Sequence, residues 1–285
     1  MTTPFELDAG GLRVAGLRAG RRGGMPVLAL HGWLDNAASF VPLAARLPEL
    51  DWALVDLPGH GLSDPLPADA AYTTPQAIVQ VLAIMDALGW ERCVLLGHSM
   101  GAAITSLVAA VAPRRTQALV AIEALGGLAA PASQTVERLR AHVAALAAFS
   151  DKQLRVFADI AAPVRARMLA NQLDEPSARL LVERGVRAVA GGWSWRSDPR
   201  WMLPTAVRMT EDQVRDVLAA IQCPAQVIYA TPAQPYFPEP ERSQRAALLA
   251  HGRLHTLPGH HHLHMDQPEA VAAVVRDFLG TVPRH

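Results

Sequence analysis

The sequence has no excess of charge and no long run of either sign: lysine plus arginine and aspartate plus glutamate number 26 each in 285 residues. Nothing in it attracts nucleic acid or an anionic membrane over long range, so neither is expected as a partner. Cysteine is scarce. Cys93 and Cys223 are too few for a disulfide framework, and each lies in an apolar run, CVLLG and IQCPAQVIYA, which predicts buried thiols. No window holds eighteen uninterrupted apolar residues, and the opening MTTPFELDAGGLRVAG has no basic segment leading into an apolar one. A spanning helix and a secretory leader are therefore not expected, and a cytoplasmic location is.

What is abundant is apolar material, 51% of residues against 18% charged, enough for a sheet buried on both faces. FELDAGGLRVAGLRAG reads as short strands turning at Gly10 and Gly11, and MPVLALHG as a buried strand ending in glycine. Asp35 or Asn36 is placed to cap a helix through Ala45, with DWALVDLPGHG as the next strand and bend. TTPQAIVQVLAIMDALG has Pro75 in the first turn of a helix and Gly89 just past its end. RCVLLGHSMGAAITSLVAA passes from a buried strand through a glycine-flanked turn into a helix, and QALVAIEAL is the strand after it. Strand and helix in this alternation imply a mostly parallel sheet, an α/β fold.

From Gly126 to Arg215 the rhythm changes. SQTVERLRAHVAALAAF, SDKQLRVFADIA and PSARLLVERGVRAVA read as successive helices with no strand between them. The expected organisation is a core of residues 1–125 and 216–285 interrupted by a helical cap over 126–215. Alternation resumes with CPAQVIYA, a helix over ERSQRAALLAH, the strand RLHTLPG and the closing amphipathic helix PEAVAAVVRDFLG.

Gly97-His98-Ser99-Met100-Gly101 fits the pattern G-x-S-x-G at a strand-to-helix junction. Small residues at minus two and plus two permit the strained turn that lifts a serine side chain above a sheet, and the helix beginning there directs N–H groups and positive dipole at an incoming oxyanion. Ser99 is the candidate nucleophile. A serine hydroxyl is a weak nucleophile at neutral pH, so an imidazole must take its proton and a carboxylate must fix that imidazole.

Four segments, HGWLDNAASF at 31–40, DLPGHGLSD at 56–64, GHSMG at 97–101 and PGHHHLHMDQPEAV at 258–271, resemble the α/β-hydrolases over nearly the whole chain. HGWLDNAASF together with GGWSWRSDPR at 191–200 most resembles the serine hydrolase-like proteins of that superfamily. The resemblance implies an oxyanion hole from the backbone N–H groups of Trp33 and Met100. It also places the base seven residues before the proline of the last helix, which from Pro268 gives His261. The position before the base is normally glycine and here is His260, so a register shifted by one stays open. His262 and His264 read as loop or packing residues, and HHHLH has no acidic partner pattern for a metal.

Members of the superfamily most often carry the third residue, an aspartate, after the strand that is VIYA here, yet VIYATPAQPYFPEP has none. Haloalkane dehalogenases, which this sequence resembles in fold, can carry it one strand earlier. Glu123, in VAIEALGG, stands at that place, where a glutamate among apolar residues is costly to bury without a partner. Glu123 is therefore the expected acid, with Glu239 and Glu241 as alternatives. Asp35 is expected as a helix cap, Asp56, His60 and Asp64 as shapers of the glycine-rich bend, and Asp198 as a turn residue before Pro199. Trp193, Trp195 and Trp201 either line an apolar pocket or pack the cap.

The expected protein is a serine esterase that needs no metal or organic cofactor and acts on a small-molecule ester with an apolar part. Hydrolysis of a C–C bond in a diketone, of a thioester or of an amide, and perhydrolysis, use the same constellation, and a slow or non-catalytic receptor would keep the same pocket. Dehalogenase and epoxide hydrolase chemistry are disfavoured, because the proteins that resemble this fold and do that chemistry use aspartate where Ser99 stands.

Overall fold

The computed structural model describes residues 1–149 and 154–283. Eight strands form one sheet: β1 (Thr3–Asp8), β2 (Arg13–Gly20), β3 (Pro26–Leu30), β4 (Asp51–Val55), β5 (Cys93–His98), β6 (Thr116–Ile122), β10 (Ala225–Thr231) and β11 (Gly252–Pro258). Their order is β1-β2-β4-β3-β5-β6-β10-β11; β1 and β2 are antiparallel to their neighbours and the rest are parallel. The uninterrupted apolar runs have a direct cause. Successive strand side chains point to opposite faces, and both faces are covered.

Leu28, Leu30, Cys93, Leu95, Val227 and Tyr229 enter one core with Ile84 and Met85 of α2 (Thr74–Ala87), Val108 of α3 (Met100–Val111) and Val214 and Leu218 of α7 (Glu211–Ala219). Their alternates Val27, Ala29, Val94, Leu96, Ile228 and Ala230 enter a second core with Leu43 of α1 (Val41–Arg46) and Val271, Val275 and Phe278 of α10 (Pro268–Gly280). The α/β sheet with helices on both faces is the one expected. Both cysteines are buried and free, and burial pushes the Cys93 thiol up to about 12. Among the described residues no helix is long and apolar enough to cross a membrane.

Two local expectations are corrected. The stretch between β6 and β10 is not purely helical: β7 (Val156–Phe157), β8 (Val186–Val189) and β9 (Gly192–Trp195) make a three-stranded antiparallel sheet among α4 (Thr135–Ala147), α5 (Ala161–Asn171) and α6 (Glu175–Gly185). The helix expected over SDKQLRVFADIA lies partly outside the described residues, and its remainder contains β7. The helical pattern of PSARLLVERGVRAVA stops at Gly185, after which Val186–Val189 pairs with β9.

Asp35 is not a cap. Asn36 caps the 3-10 turn over Ala37–Phe40 by accepting from the Ala38 N–H at 3.1 Å, while Asp35, 2% exposed, points inward to other partners.

Candidate active site

The register of the central strands sets the site. Leu30 pairs with Gly97, His98 with Ile122 and Val227 with Ala121, so the chain leaves β3, β5 and β6 at one edge of the sheet, with His31, Ser99 and Glu123 as the next residues. Ser99 has φ 52° and ψ −117°, a conformation a serine keeps only when its surroundings enforce it. Its N–H donates to Ile122 O at 2.9 Å, and its carbonyl accepts the first helical bond of α3 from Ala103. A Cβ at Gly97 would overlap the Ala102 amide and one at Gly101 the Leu30 carbonyl, so both glycines are sterically required.

His261, in the turn after β11, places Nδ1 3.2 Å from Glu123 Oε2. Glu123 also has a positive φ, 59°, and is 4% exposed. Its Oε1 accepts from the Ala230 N–H and from Arg242 Nη2 at 3.1 Å, which leaves Oε2 for the imidazole. Strand β10 lies between β6 and β11, so the carboxylate spans the end of one strand to reach His261; the glutamate's extra methylene, relative to aspartate, serves that reach.

Ser99 Oγ makes no hydrogen bond among the described residues, and nucleophile–base contacts of this kind often tighten only around substrate. The N–H groups of Trp33 and Met100 have no hydrogen-bond partner among the described residues either, which leaves both free to donate. His260 is exposed and forms no pair with Glu123, whereas His261 does.

Glu239 instead accepts from the Ser243 hydroxyl at 2.7 Å, and Glu241 pairs with Arg245 at 3.0 Å. Trp193 and Trp195 pack against Val164, Leu181 and Val182 of the inserted segment. Trp201 stacks on Tyr72 at 4.3 Å and, with Leu57, Pro58, Leu66 and Ile104, lines a small apolar cavity. Asp198 caps the turn from Pro199 as expected, and also accepts from the Tyr72 hydroxyl at 2.8 Å. Asp56 holds the glycine-rich bend through the Leu62 N–H and pairs with Arg184 of α6 at 2.8 Å.

Three contacts around these residues were not legible in the sequence. Arg242, 3% exposed, looks like a surface residue of the α8 segment (Glu241–Ala246) but neutralises Glu123. Tyr236 brings its hydroxyl 3.1 Å from His261 Nδ1. Asp35 accepts from His262 Nε2 at 3.1 Å and lies 3.3 Å from Arg167 Nη1 of α5. Burial opposes ionisation of Asp35, but the His262 contact and the Arg167 guanidinium outweigh it and hold the carboxyl well below the usual range.

Asp35, His98 and His262 have donor atoms within 4.8 Å of one another, a spacing that suits a metal ion. The Arg167 guanidinium, however, sits beside the same carboxylate, and a divalent ion there would lie against that charge.

His31, His60, His98 and His264 are 0% exposed, and burial pushes each imidazole down. They stay neutral when folded, whereas the unfolded chain takes up these protons near pH 6.5. The unfolded state then binds more protons, so stability is fully present above about pH 6.5 and falls as the pH drops below it, by up to about 1.4 kcal/mol per pH unit for each group. The depressed Asp35 adds a loss only below about pH 3.9. Urea midpoints are expected to be level from pH 8 to 7 and to decline from 6.5 to 5; a level profile to pH 5 would contradict neutral burial.

Residues 25–236 match the model of the alpha/beta hydrolase fold family. The chain is 30% identical over 273 residues to a serine hydrolase-like protein of Danio rerio, covering 90% of this chain and 82% of that one. It is 29% identical over 272 residues to the lipase LipV of Mycobacterium tuberculosis, covering 92% and 96%. The crystal structure of a hypothetical protein from Pseudomonas aeruginosa PAO1 superposes with a TM-score of 0.91 at 34% identity, covering 97% of this chain and 99% of that one. By sequence and by architecture, the chain belongs to the alpha/beta hydrolase fold family.

Proposed function

We propose that the protein is a serine hydrolase of the carboxylesterase type, acting on a small or medium ester with an apolar part through an acyl-enzyme on Ser99. The observation that carries this reading is the His261–Glu123 pair at 3.2 Å beside the strained Ser99 turn. With Nδ1–H donated to Glu123, His261 Nε2 is unprotonated and can take the Ser99 proton as Oγ attacks the carbonyl carbon. The N–H groups of Trp33 and Met100 stabilise the resulting oxyanion. Collapse expels the alcohol with the proton from His261, and a water activated by the same imidazole then releases the acid. The buried Arg242 guanidinium, 3.1 Å from the far oxygen of Glu123, holds that carboxylate in place. The inserted segment is the proposed cap. The lipase relative supports ester chemistry.

A panel of aryl esters of graded acyl length, run beside a thioester and a β-diketone, tests the reading. Turnover of the esters is expected, and activity confined to the diketone would replace it with C–C hydrolysis. His261→Ala is expected to lower ester turnover by about 10³-fold or more, while His260→Ala stays within about tenfold of wild type. Loss in His260→Ala alone would move the base by one residue. Prolonged chelation is expected to leave the rate unchanged; loss on chelation and recovery on adding a divalent metal would reveal a metal the proposed steps do not use.

A further inference from the structure

The turn that carries the Trp33 amide is held in a conformation its own residues do not favour. Leu34, the next residue, has φ 59°, in the left-handed region that a leucine avoids. Such a backbone persists when its surroundings over-determine it. Here they do so from two sides. From the core, the Leu34 N–H lies 3.3 Å from His60 Nε2, and His262, neighbour of His261, holds Asp35 Oδ2 at 3.1 Å. From the inserted segment, a single guanidinium holds a backbone and a side-chain group of the turn: Arg167 Nη2 donates to the Leu34 carbonyl and Nη1 pairs with Asp35 Oδ1 at 3.3 Å.

Arg167 is itself fixed. Its Nη1 also donates to Asn171 Oδ1 at 3.1 Å, one turn along α5, its guanidinium lies 5.7 Å from the Trp195 ring centroid, and its side chain is 12% exposed. A second strut from the same segment reaches the turn, since the Trp33 indole N–H donates to Trp201 O at 3.0 Å. The segment is anchored to the core away from this turn by the Arg184–Asp56 pair, and next to it by Asn36 Nδ2 donating to Leu181 O. Arg167 is therefore not what keeps the segment seated. Its contacts go to Leu34 and Asp35, and the Asp35 N–H donates at 3.1 Å to Gly32 O, the carbonyl of the peptide that bears the Trp33 N–H.

Resting on the esterase reading, we infer that Arg167 is a positioning residue: it transmits the seating of the inserted segment on the core to the aim of the oxyanion-hole amide of Trp33. It touches neither the nucleophile nor the base. The planar fork suits the task because it bridges a carbonyl and a carboxylate at once, which an ammonium on a flexible stem does poorly. An oxyanion donor acts mainly on the charge that develops in the transition state, so misaiming it lowers kcat and spares KM.

The test compares wild type, Arg167→Ala, Arg167→Lys and, as a surface control, Arg179→Ala, assayed on one activated ester well below each protein's melting temperature. Arg167→Ala is expected to lose about 10- to 100-fold in kcat with KM within about threefold. Arg167→Lys should be intermediate and Arg179→Ala unchanged. Millimolar guanidinium ion is expected to restore part of kcat in Arg167→Ala and to do nothing for wild type, a response that loss of packing alone would not produce.

A wild-type kcat in folded Arg167→Ala, or a raised KM at unchanged kcat, would overturn the inference while leaving the esterase reading intact. A wild-type protein that turns over no ester would fail earlier, on the reading itself, and the inference would fall with it.

Discussion

Ser99→Ala is expected to lower turnover of an activated ester by about 10⁴-fold or more while leaving the fold unchanged. The hydroxyl sits at the tip of a turn whose φ of 52° is enforced by Gly97 and Gly101, where no larger residue fits. Alanine adopts the same backbone at no greater cost, so circular dichroism and melting temperature should stay close to wild type. What is lost is the only atom proposed to bond to the substrate. Residual catalysis by the oxyanion hole and by binding is expected to survive, so the comparison is with the uncatalysed rate as well as with wild type. A variant retaining a tenth of the activity would mean that water, or another residue, is the nucleophile.

Glu123→Gln carries the second large effect, about 10³- to 10⁴-fold in kcat, because an amide cannot stabilise the imidazolium and can favour the wrong tautomer of His261. This substitution also removes the charge that pairs with the buried Arg242, 3.1 Å away, and breaking a buried pair costs about 3–5 kcal/mol. The melting temperature is therefore expected to fall as well, and kcat must be read at a temperature where the variant is shown to be folded. Glu239→Gln and Glu241→Gln serve as controls, since their carboxylates engage Ser243 and Arg245 and not His261. Both should stay within about threefold of wild type in kcat. Near-normal activity in folded Glu123→Gln, with loss in either control, would place the acid elsewhere.

The sheet was legible because burial on both faces writes itself as continuous apolar runs, PVLAL, DWALV and TQALVAI among them, and each run here is a parallel or central strand. The Ser99 turn was legible because its geometry admits almost no residue but glycine at two places. That Glu123 would be buried against a partner was legible by a different route: a glutamate at an apolar strand end needs one, and His261 and Arg242 supply it.

The three-stranded sheet of the inserted segment was not legible. Its strands are two to four residues long, too short for a period to show, and VRAV continues the helical spacing of the residues before it. Asp35 was misread for a reason of the same kind. Next to Asn36 at the start of a helical stretch it has the sequence context of a cap, and only the tertiary structure brings His262 and Arg167 to it. Arg242 gave no signal at all, because an arginine among the glutamates and polar residues of PEPERSQR has the composition of a solvated helix.

The central claim, that Ser99 is the residue activated for covalent attack, is tested most directly by treating the wild-type protein with a fluorophosphonate and mapping the adduct by mass spectrometry of its peptides. One adduct per chain, on Ser99 and absent from Ser99→Ala, is the predicted result. An unmodified protein, or an adduct on any other residue, would contradict it.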